Sequence, residues 1–366
     1  MDTGRLSSRR ATVDVLAAQP LDVLVIGAGI TGTSIAHEAA SRGLKTALVD
    51  RGDIAGRGHT QSNPLVAIGP RSPGQKHLRQ SFQASRALHK LRNAAPHLVR
   101  RTPFIYPVYR HAKVAPWRLA WVVGMDAILS SFRNVCQHRL LGKRAMSERE
   151  PLLRDPGLIG GVLFQDMTCD MERLTVAMAR AAARHDALIA TYTMVEKLEL
   201  RDGGIRGATV RDLRGNTRGH ITAGVVINAA GAWADDLRRL EAPDASPLFQ
   251  LYRATQIVVP QGRLGARHAL RLQSPLDDRM LFMLPAGDRV VLGTAETPVD
   301  HPSAVEPTGE EIAYLVRSAN AYFPNAHLTP EDIQDIRTAV WPSPLVASGK
   351  GSSGDAEIAT GRYGMV

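Results

Sequence analysis

Three glycines near the start of the chain have the spacing of a dinucleotide-binding turn. Gly27, Gly29 and Gly32 form the pattern G-x-G-x-x-G directly after a short apolar run, and a helix-forming segment that starts with Ile30 and Thr31 follows. In this pattern the first glycine allows a tight turn, the second lets backbone approach a diphosphate, and the third lets helix and strand pack closely. The helix N-terminus adds unpaired N–H groups and the positive end of a dipole. The residues therefore predict a phosphate site.

An acidic residue completes the pattern. A second apolar run, Thr46–Val49, ends at Asp50, eighteen positions after Gly32. A carboxylate at this place accepts hydrogen bonds from the ribose hydroxyls of a dinucleotide. A glycine-rich loop in a protein that binds no nucleotide does not explain Asp50, so the strand, helix, second strand and acid together predict a dinucleotide site.

The order of the elements further along the chain favours FAD over NAD. A common nicotinamide enzyme continues strand–helix–strand after its second strand. This chain instead makes a long excursion and returns through a meander of antiparallel strands into the apolar run Gly224–Asn228. That run ends in the small residues Ala230 and Gly231, which let backbone approach a cofactor. This order is typical of two-domain flavoproteins.

Composition limits the class of protein. A chain of 366 residues with 44% hydrophobic residues suits a globular enzyme of two domains. Only two cysteines, Cys136 and Cys169, are present, which favours a reducing compartment. We find neither a signal peptide nor a run of about 20 apolar residues that could span a membrane. We therefore expect a cytoplasmic protein and no metal site.

The positive charge is concentrated in one block. The formal net charge is +10, and residues 54–125 contain twelve Lys or Arg and no acidic residue. Such a block suits a phosphorylated substrate, an anionic membrane surface at the inner face of the cell, or nucleic acid. Arginine enrichment from a high-GC genome is the alternative. Because the chain has no recognised nucleic-acid module, we expect no nucleic-acid partner.

Several segments resemble the FAD-dependent (aerobic) glycerol-3-phosphate dehydrogenases. With their spacing they cover nearly everything from 21 to 345. The resembling blocks are 22–55, 95–110, 170–185, 225–237 and 290–300. The first and fourth blocks occur in many flavoproteins, whereas the arginine-rich second block and the G-T-x-[DE] turn at Gly293–Glu296 are more particular to this family.

The resemblance implies an α/β fold, more fully an α+β two-domain flavoprotein. A Rossmann-like FAD-binding domain would be assembled from separated segments, and a substrate domain would be built on an antiparallel sheet. The expected division is an N-terminal extension (1–20), an FAD-binding domain (21–75 and 150–245), a substrate or cap domain (76–149 and 246–345) and a flexible C-terminal tail (346–366).

The implied reaction is oxidation of sn-glycerol 3-phosphate to dihydroxyacetone phosphate, with electrons passed through FAD to a quinone. The candidate residues for holding FAD are the two glycine motifs, the second-strand acid and their neighbours. They are Gly27, Gly29, Ile30, Thr31, Gly32, Asp50, Arg51, Ser62, Ala230 and Gly231.

The sequence departs from this family on the substrate side. The family's histidine beside the flavin corresponds to Ala67, and its arginine before a proline corresponds to Trp341. His59 is the nearest replacement for the base that takes the hydroxyl proton. Arg71 and Arg253 are candidate anchors for an anionic substrate. Each of these three catalytic candidates could equally be an ordinary solvated side chain.

Two alternatives therefore stay open. One is an FAD-dependent oxidase or dehydrogenase of another small anionic hydroxy or amino acid, favoured by the altered loop 59–72 and Trp341. The other is a catalytically impaired flavin-binding relative, favoured by Ala67. In relatives a last strand and helix follow the region that resembles 357–366, so we expect a C-terminally truncated chain.

Overall fold

Two β-sheets organise the protein in a computed structural model. The structure describes residues 9–56, 87, 89–110, 139–345 and 360–366. Its strands are β1 (Leu21–Ile26), β2 (Thr46–Val49), β3 (Val99–Tyr109), β4 (Arg139–Gly142), β5 (Leu158–Cys169), β6 (Leu188–Ala190), β7 (Thr193–Arg201), β8 (Gly204–Asp212), β9 (Arg218–Asn228), β10 (Phe249–Pro260), β11 (Ala269–Gln273), β12 (Met280–Ala286), β13 (Arg289–Val299) and β14 (Asp335–Pro344). Its helices are α1 (Arg9–Ala17), α2 (Ile30–Ser41), α3 (Lys143–Arg149), α4 (Met171–Arg184), α5 (Ala234–Glu241), α6 (Gln261–Leu264) and α7 (Gly309–Tyr322).

The first sheet places the glycine motif. Its strand order is β6-β2-β1-β9-β8-β7, with β1 parallel to both β2 and β9. β1 is buried at five of six positions, as expected for a parallel strand that is covered on both faces. Helices α2 and α4 pack together on one face, where Ala36 and Ala182 are fully buried. The carboxyl ends of β2, β1 and β9 therefore meet at one edge of the sheet.

The second sheet is mainly antiparallel. Its order is β14-β10-β13-β12-β11-β3-β5-β4, and only the short contact between β11 and β3 is parallel. Helix α7 covers one face, where Leu315 and Ala319 pack against Ile257 and Leu292. The predicted fold class, a Rossmann-like domain with an antiparallel-sheet domain, is confirmed. None of the described helices is long and apolar enough to cross a membrane.

The predicted boundary between residues 149 and 150, where the chain was expected to return to the FAD-binding domain, is wrong. Strand β5 (158–169) pairs with β3 and β4 in the second sheet, so this segment belongs to the antiparallel domain. The chain returns to the first sheet only with α4, which packs on α2. The glycines Gly160 and Gly161 weaken the strand signal of β5 in the sequence.

The N-terminal helix belongs to the first domain and is not a separate extension. Val13 and Leu16 of α1 are buried against the β-meander side of the first sheet. A Cβ at Gly219 would lie 2.8 Å from a methyl group of Val13, which shows how closely α1 approaches β9. The predicted extension over 1–20 is therefore wrong for the described residues of α1, because an apolar face of this helix completes the core.

The last seven residues also lie against the first sheet. Met365 is buried in the same core as α1. The Asn228 N–H at the end of β9 donates a hydrogen bond of 2.6 Å to the carbonyl oxygen of Val366. The expectation of a flexible tail over 346–366 is therefore wrong for 360–366, while the rest of that range lies outside the described residues.

Candidate nucleotide-binding site

The glycine turn forms a tight cradle at the end of β1. Gly27 has φ of +111°, and a Cβ there would collide with the carbonyl oxygen of Ala229. A Cβ at Gly32 would collide with the carbonyl oxygen of Gly27. Gly27 and Gly32 are thus required by the protein's own packing. A Cβ at Gly29, by contrast, would meet nothing within 4 Å among the described residues, so on their side this glycine faces open space.

Helix α2 begins at this open space. Its N-cap residue is Gly29, and no side chain caps its first turn. The first N–H groups of a helix have no partner within the helix, and together with the helix dipole they attract an anion. The backbone at Ile30 and Thr31 therefore offers donors to a phosphate group.

Asp50 is held in place beside the cradle. Its Oδ2 accepts a hydrogen bond of 2.6 Å from the Ala28 N–H, and its Oδ1 accepts one of 2.7 Å from the Gly52 N–H. A carboxylate oxygen can accept more than one hydrogen bond, so both oxygens of Asp50 can still accept hydrogen bonds from the hydroxyl groups of a ribose. The second-strand acid is thus oriented by backbone before any ligand binds.

A cavity of about 390 Å³ follows the cradle. Its walls come from the first glycine turn, the end of β2, the start of β7, the turn after β9, helix α5 and two residues of β14. The lining residues are 26–31, 50, 51, 53, 55, 56, 193–195, 229–233, 236, 237, 240, 340 and 342. This size falls within the range of small-molecule and cofactor sites. Because β14 belongs to the second sheet, the cavity lies between the two domains.

The open space at Gly29, the uncapped helix and the oriented carboxylate together fit the diphosphate and ribose of a dinucleotide. Residues 22–358 match the model of a protein family, DAO, described as FAD dependent oxidoreductase. The chain belongs to this family. The cofactor of DAO proteins is FAD, and the cradle has the form that FAD needs.

Two curated enzymes are similar to this chain over most of its length. An alpha-glycerophosphate oxidase of Streptococcus pyogenes is 30% identical over 89% of this chain and 55% of its own length. An aerobic glycerol-3-phosphate dehydrogenase of Staphylococcus aureus is 28% identical over 88% of this chain and 58% of its own length. The chain thus spans little more than half the length of these curated relatives.

A solved structure shows the same architecture. The glycerol-3-phosphate dehydrogenase from Bacillus halodurans, crystallised with FAD, superposes with a TM-score of 0.80 at 26% identity. The match covers 98% of this chain and 62% of the solved one. An L-proline dehydrogenase from P. horikoshii shares the fold at 17% identity, with a TM-score of 0.70.

The structure brings most of the predicted FAD residues together. The predicted residues that line the cavity are Gly27, Gly29, Ile30, Thr31, Asp50, Arg51, Ala230 and Gly231. Gly32 lies behind them, where it allows α2 to approach the turn. Ser62, His59 and Arg71 lie outside the described residues.

Arg253 is not an available substrate anchor. Its side chain is buried, and its guanidinium donates hydrogen bonds of 2.9–3.2 Å to both carboxylate oxygens of Glu311. Thr255 donates a further bond of 2.8 Å to Glu311. Burial would raise the pKa of Glu311, but the hydrogen bonds, first that from Arg253, hold the pKa below its ordinary value. The predicted catalytic role of Arg253 is therefore wrong, because its guanidinium joins β10 to α7 through Glu311.

Strand β10, which carries Arg253, and its neighbour β14 each contribute a neutral side chain near this ion pair. Trp341 stacks on Tyr252, with ring centroids 5.6 Å apart. Gln256 is buried, and its Nε2 has no hydrogen-bond partner in the part of the chain that the structure describes. β10 has a bulge between Thr255 and Gln256, and the absence of a side chain at Gly293 makes room for the Cβ and Cγ of Gln256.

The sequence reasoning missed part of the cavity wall. Thr193, Met194 and Val195 form it at the start of β7, and Trp233 and Leu237 form it beyond β9. Nothing in the sequence distinguishes the three residues of β7 from those of any other strand. Trp233 could have been found, since it comes two residues after Gly231 of the second small-residue motif.

Proposed function

We propose that the protein oxidises sn-glycerol 3-phosphate to dihydroxyacetone phosphate through FAD and passes the electrons to a quinone. The observation that carries this proposal is the 28–30% identity, over nearly nine-tenths of the chain, to enzymes named for glycerophosphate oxidation. The complete cradle for FAD supports it, because the reaction depends on that cofactor.

The proposal assigns each step of binding and oxidation to particular residues of the chain. FAD, when bound, supplies the acceptor of the hydride from the alcohol carbon. The β1–α2 turn binds its diphosphate by backbone, and Asp50 orients its ribose. In this proposal His59 takes the hydroxyl proton and Arg71 binds the anionic group of the substrate.

The basic block 54–125 is consistent with this function. A phosphorylated substrate is attracted by it, and so is an anionic bilayer surface that contains the quinone. We therefore propose a cytoplasmic protein that associates with the inner face of the cell membrane through charge, without a spanning helix in its described part.

A second function is favoured by a specific observation. The Arg253 guanidinium is neutralised by Glu311, and the residue in place of the family's arginine is Trp341 in a stack with Tyr252. A phosphate dianion requires several cationic donors. A smaller anion, such as a hydroxy or amino acid, requires fewer. Oxidation of such an acid is the second candidate.

Anaerobic reduction of the bound flavin tests both candidates. Purified holoenzyme would be mixed with glycerol 3-phosphate, and the visible flavin absorbance would be followed. Bleaching by glycerol 3-phosphate supports the first function. Bleaching by lactate or by amino acids alone supports the second. Bleaching by dithionite only would contradict both functions and would indicate a flavin-binding protein without turnover.

A further inference from the structure

One face of the second sheet carries polar side chains that the cofactor cavity does not use. Helix α7 covers the opposite face, where Ile257 and Ala295 are buried in the core. Neighbouring residues of a strand alternate between the two faces of a sheet. Gln256 of β10 and Glu296 of β13 therefore lie on the face away from α7, and Val258 is buried in a separate cluster on that face.

A depression crosses this face between two rows of larger residues. Strand pairing gives three successive rows, which are Trp341–Tyr252–Pro298, Ala339–Ala254–Glu296 and Gln256–Gly293. Neighbouring rows are about 7 Å apart, because a strand rises about 3.4 Å per residue. The two alanines of the middle row are small and buried, whereas the stacked rings of Trp341 and Tyr252 stand on one side and Gln256 on the other. The middle row is thus the floor of the depression, with Glu296 at its end.

The depression lies beside the nucleotide-binding cavity. Val340 and Pro342 line that cavity, and Trp341 stands between them in β14. Val340 is also the direct neighbour of Ala339 on the floor of the depression. A small molecule in the depression would therefore lie next to a cofactor in the cavity.

Gln256 presents an unmatched hydrogen-bond donor at this depression. The residue is 1% exposed, and its Nε2 has no partner among the residues that the structure describes. A buried N–H without an acceptor is unfavourable, so a ligand that supplies an acceptor gains affinity. The cation opposite Gln256 in the strand pairing is Arg337, and its guanidinium is paired with Asp335.

Glu296 presents an unmatched acceptor. Its backbone carbonyl accepts a hydrogen bond of 2.7 Å from Arg279, whose guanidinium is paired with Asp277. The Glu296 carboxylate itself has neither a hydrogen-bond nor an ion-pair partner within the described ranges of the chain. Gln256 and Glu296 are diagonal neighbours on paired strands, about 7–8 Å apart, a gap that two side chains and one small polar group can bridge.

We propose that Gln256 and Glu296 bind a hydroxyl group of the substrate and thereby determine its specificity. A hydroxyl group both donates and accepts, so it donates to the Glu296 carboxylate and accepts from the Gln256 amide. The inference rests on the proposed oxidation of glycerol 3-phosphate, whose terminal hydroxyl would lie here. Because the pair carries no positive charge, the phosphate group lies at the other end of the bound substrate. The rings of Trp341 and Tyr252 form the wall against the carbon chain.

Calorimetry on the holoenzyme tests this pair with two probes that differ by one hydroxyl group. 3-Hydroxypropyl phosphate retains the terminal hydroxyl of glycerol 3-phosphate, and propyl phosphate lacks it. Neither contains the secondary alcohol that is oxidised, so the measurement does not depend on turnover. We expect the wild-type protein to bind 3-hydroxypropyl phosphate at least about tenfold more tightly, as for a hydrogen bond to a charged group.

The variants should remove this preference. Gln256→Leu and Glu296→Ala should each reduce it to less than about threefold, whereas Glu296→Gln, which retains an acceptor oxygen, should keep part of it. Gln273→Leu is the matched control, because Gln273 belongs to the same sheet but its amide donates to Asp278, and it should keep the full preference. Circular dichroism on each variant would establish that the fold is retained.

The proposal is overturned if the wild-type protein binds both probes equally or binds neither. It is overturned as well if Gln256→Leu and Glu296→Ala keep the full preference, or if they weaken both probes to the same extent. A wild-type protein that prefers the hydroxylated probe, but whose flavin is not bleached by glycerol 3-phosphate, would contradict the proposed oxidation alone. The hydroxyl-binding pair would then remain supported, so the two failures are distinguishable.

Discussion

Replacing Gly29 should separate cofactor binding from folding. Gly29 has φ −73° and ψ −178°, a conformation that any residue adopts, and a Cβ there meets no heavy atom of the described residues within 4 Å. Gly29→Ala should therefore leave the free energy of unfolding unchanged or raise it by about 0.4–1 kcal/mol, because the unfolded chain loses freedom. The branched side chain in Gly29→Val should likewise find room in the flavin-free protein.

The substitution Gly29→Val should instead weaken the binding of FAD. A valine at Gly29 would stand where the N–H groups of α2 meet the diphosphate. Loss of two charge-assisted hydrogen bonds, at about 1.5–3 kcal/mol each, would weaken FAD binding by more than about 100-fold. The assay is the Kd for FAD by calorimetry, with thermal unfolding of the flavin-free protein followed by circular dichroism.

Gly32→Ala is the contrasting variant on the same turn. Its Cβ would collide with the carbonyl oxygen of Gly27 and lie 3.3 Å from the Ala229 Cβ, so we expect a loss of more than about 3 kcal/mol in stability. The reasoning is refuted if Gly29→Val binds FAD with the wild-type Kd. It is refuted equally if Gly29→Val unfolds at as low a temperature as Gly32→Ala.

Four further predictions concern other parts of the molecule. Arg253→Met should lower the free energy of unfolding by about 3–5 kcal/mol in urea titrations, because Glu311 is left buried and without its cation. An unchanged free energy of unfolding would contradict this structural role and would support Arg253 as a substrate-binding residue. The pKa of Glu311 is lowered in the folded protein, so the stabilisation by this carboxylate is present above the ordinary glutamate pKa and is lost as the pH falls through the lowered pKa. Glu311→Gln should therefore flatten the acid limb of the curve of unfolding free energy against pH. An unchanged acid limb would contradict this. Met365→Ala should cost about 2–5 kcal/mol in the same titrations, and no loss would mean that the chain end is not packed. His59→Asn should slow flavin reduction about 10²- to 10⁴-fold at an unchanged Kd for FAD, and wild-type rates would exclude His59 as the base.

The cradle could be predicted because its signals are local. Apolar runs, glycine spacing and a terminal acid specify β1, α2, β2 and the position of Asp50 within 30 residues. Helix α2 ends at Ser41, two residues before Gly43, where φ is +83°. The steric demand at Gly32 arises within the turn itself, from the carbonyl oxygen of Gly27, whereas the demand at Gly27 arises from Ala229 in the turn after β9.

Long-range contacts explain what the sequence did not reveal. Gly161 of β5 looks like a strand breaker, yet a Cβ there would lie 2.8 Å from the carbonyl oxygen of Tyr106 on the neighbouring strand β3. That demand appears only once β3 and β5 are paired. For the same reason, the pattern of residues 158–169 did not indicate which sheet they join.

The environment of Arg253 likewise depends on a long-range contact that the local sequence does not reveal. Its partner Glu311 is 58 residues away in the sequence, so the cation alone looks free. One local signal was available: Thr308 and Glu311 have the spacing of a capping box, and the structure forms that box at the start of α7. A carboxylate fixed at a helix start is a natural partner for a buried arginine.

The affinities of the flavin-free protein for FAD and FMN provide the most direct test of dinucleotide binding at the β1–α2 turn. FMN has the flavin and one phosphate but lacks the adenosine whose ribose Asp50 is positioned to bind. We expect the Kd for FAD to be at least about 100-fold lower than that for FMN, since two or more charge-assisted hydrogen bonds are at stake. Equal affinities, or failure to bind FAD at all, would contradict this account.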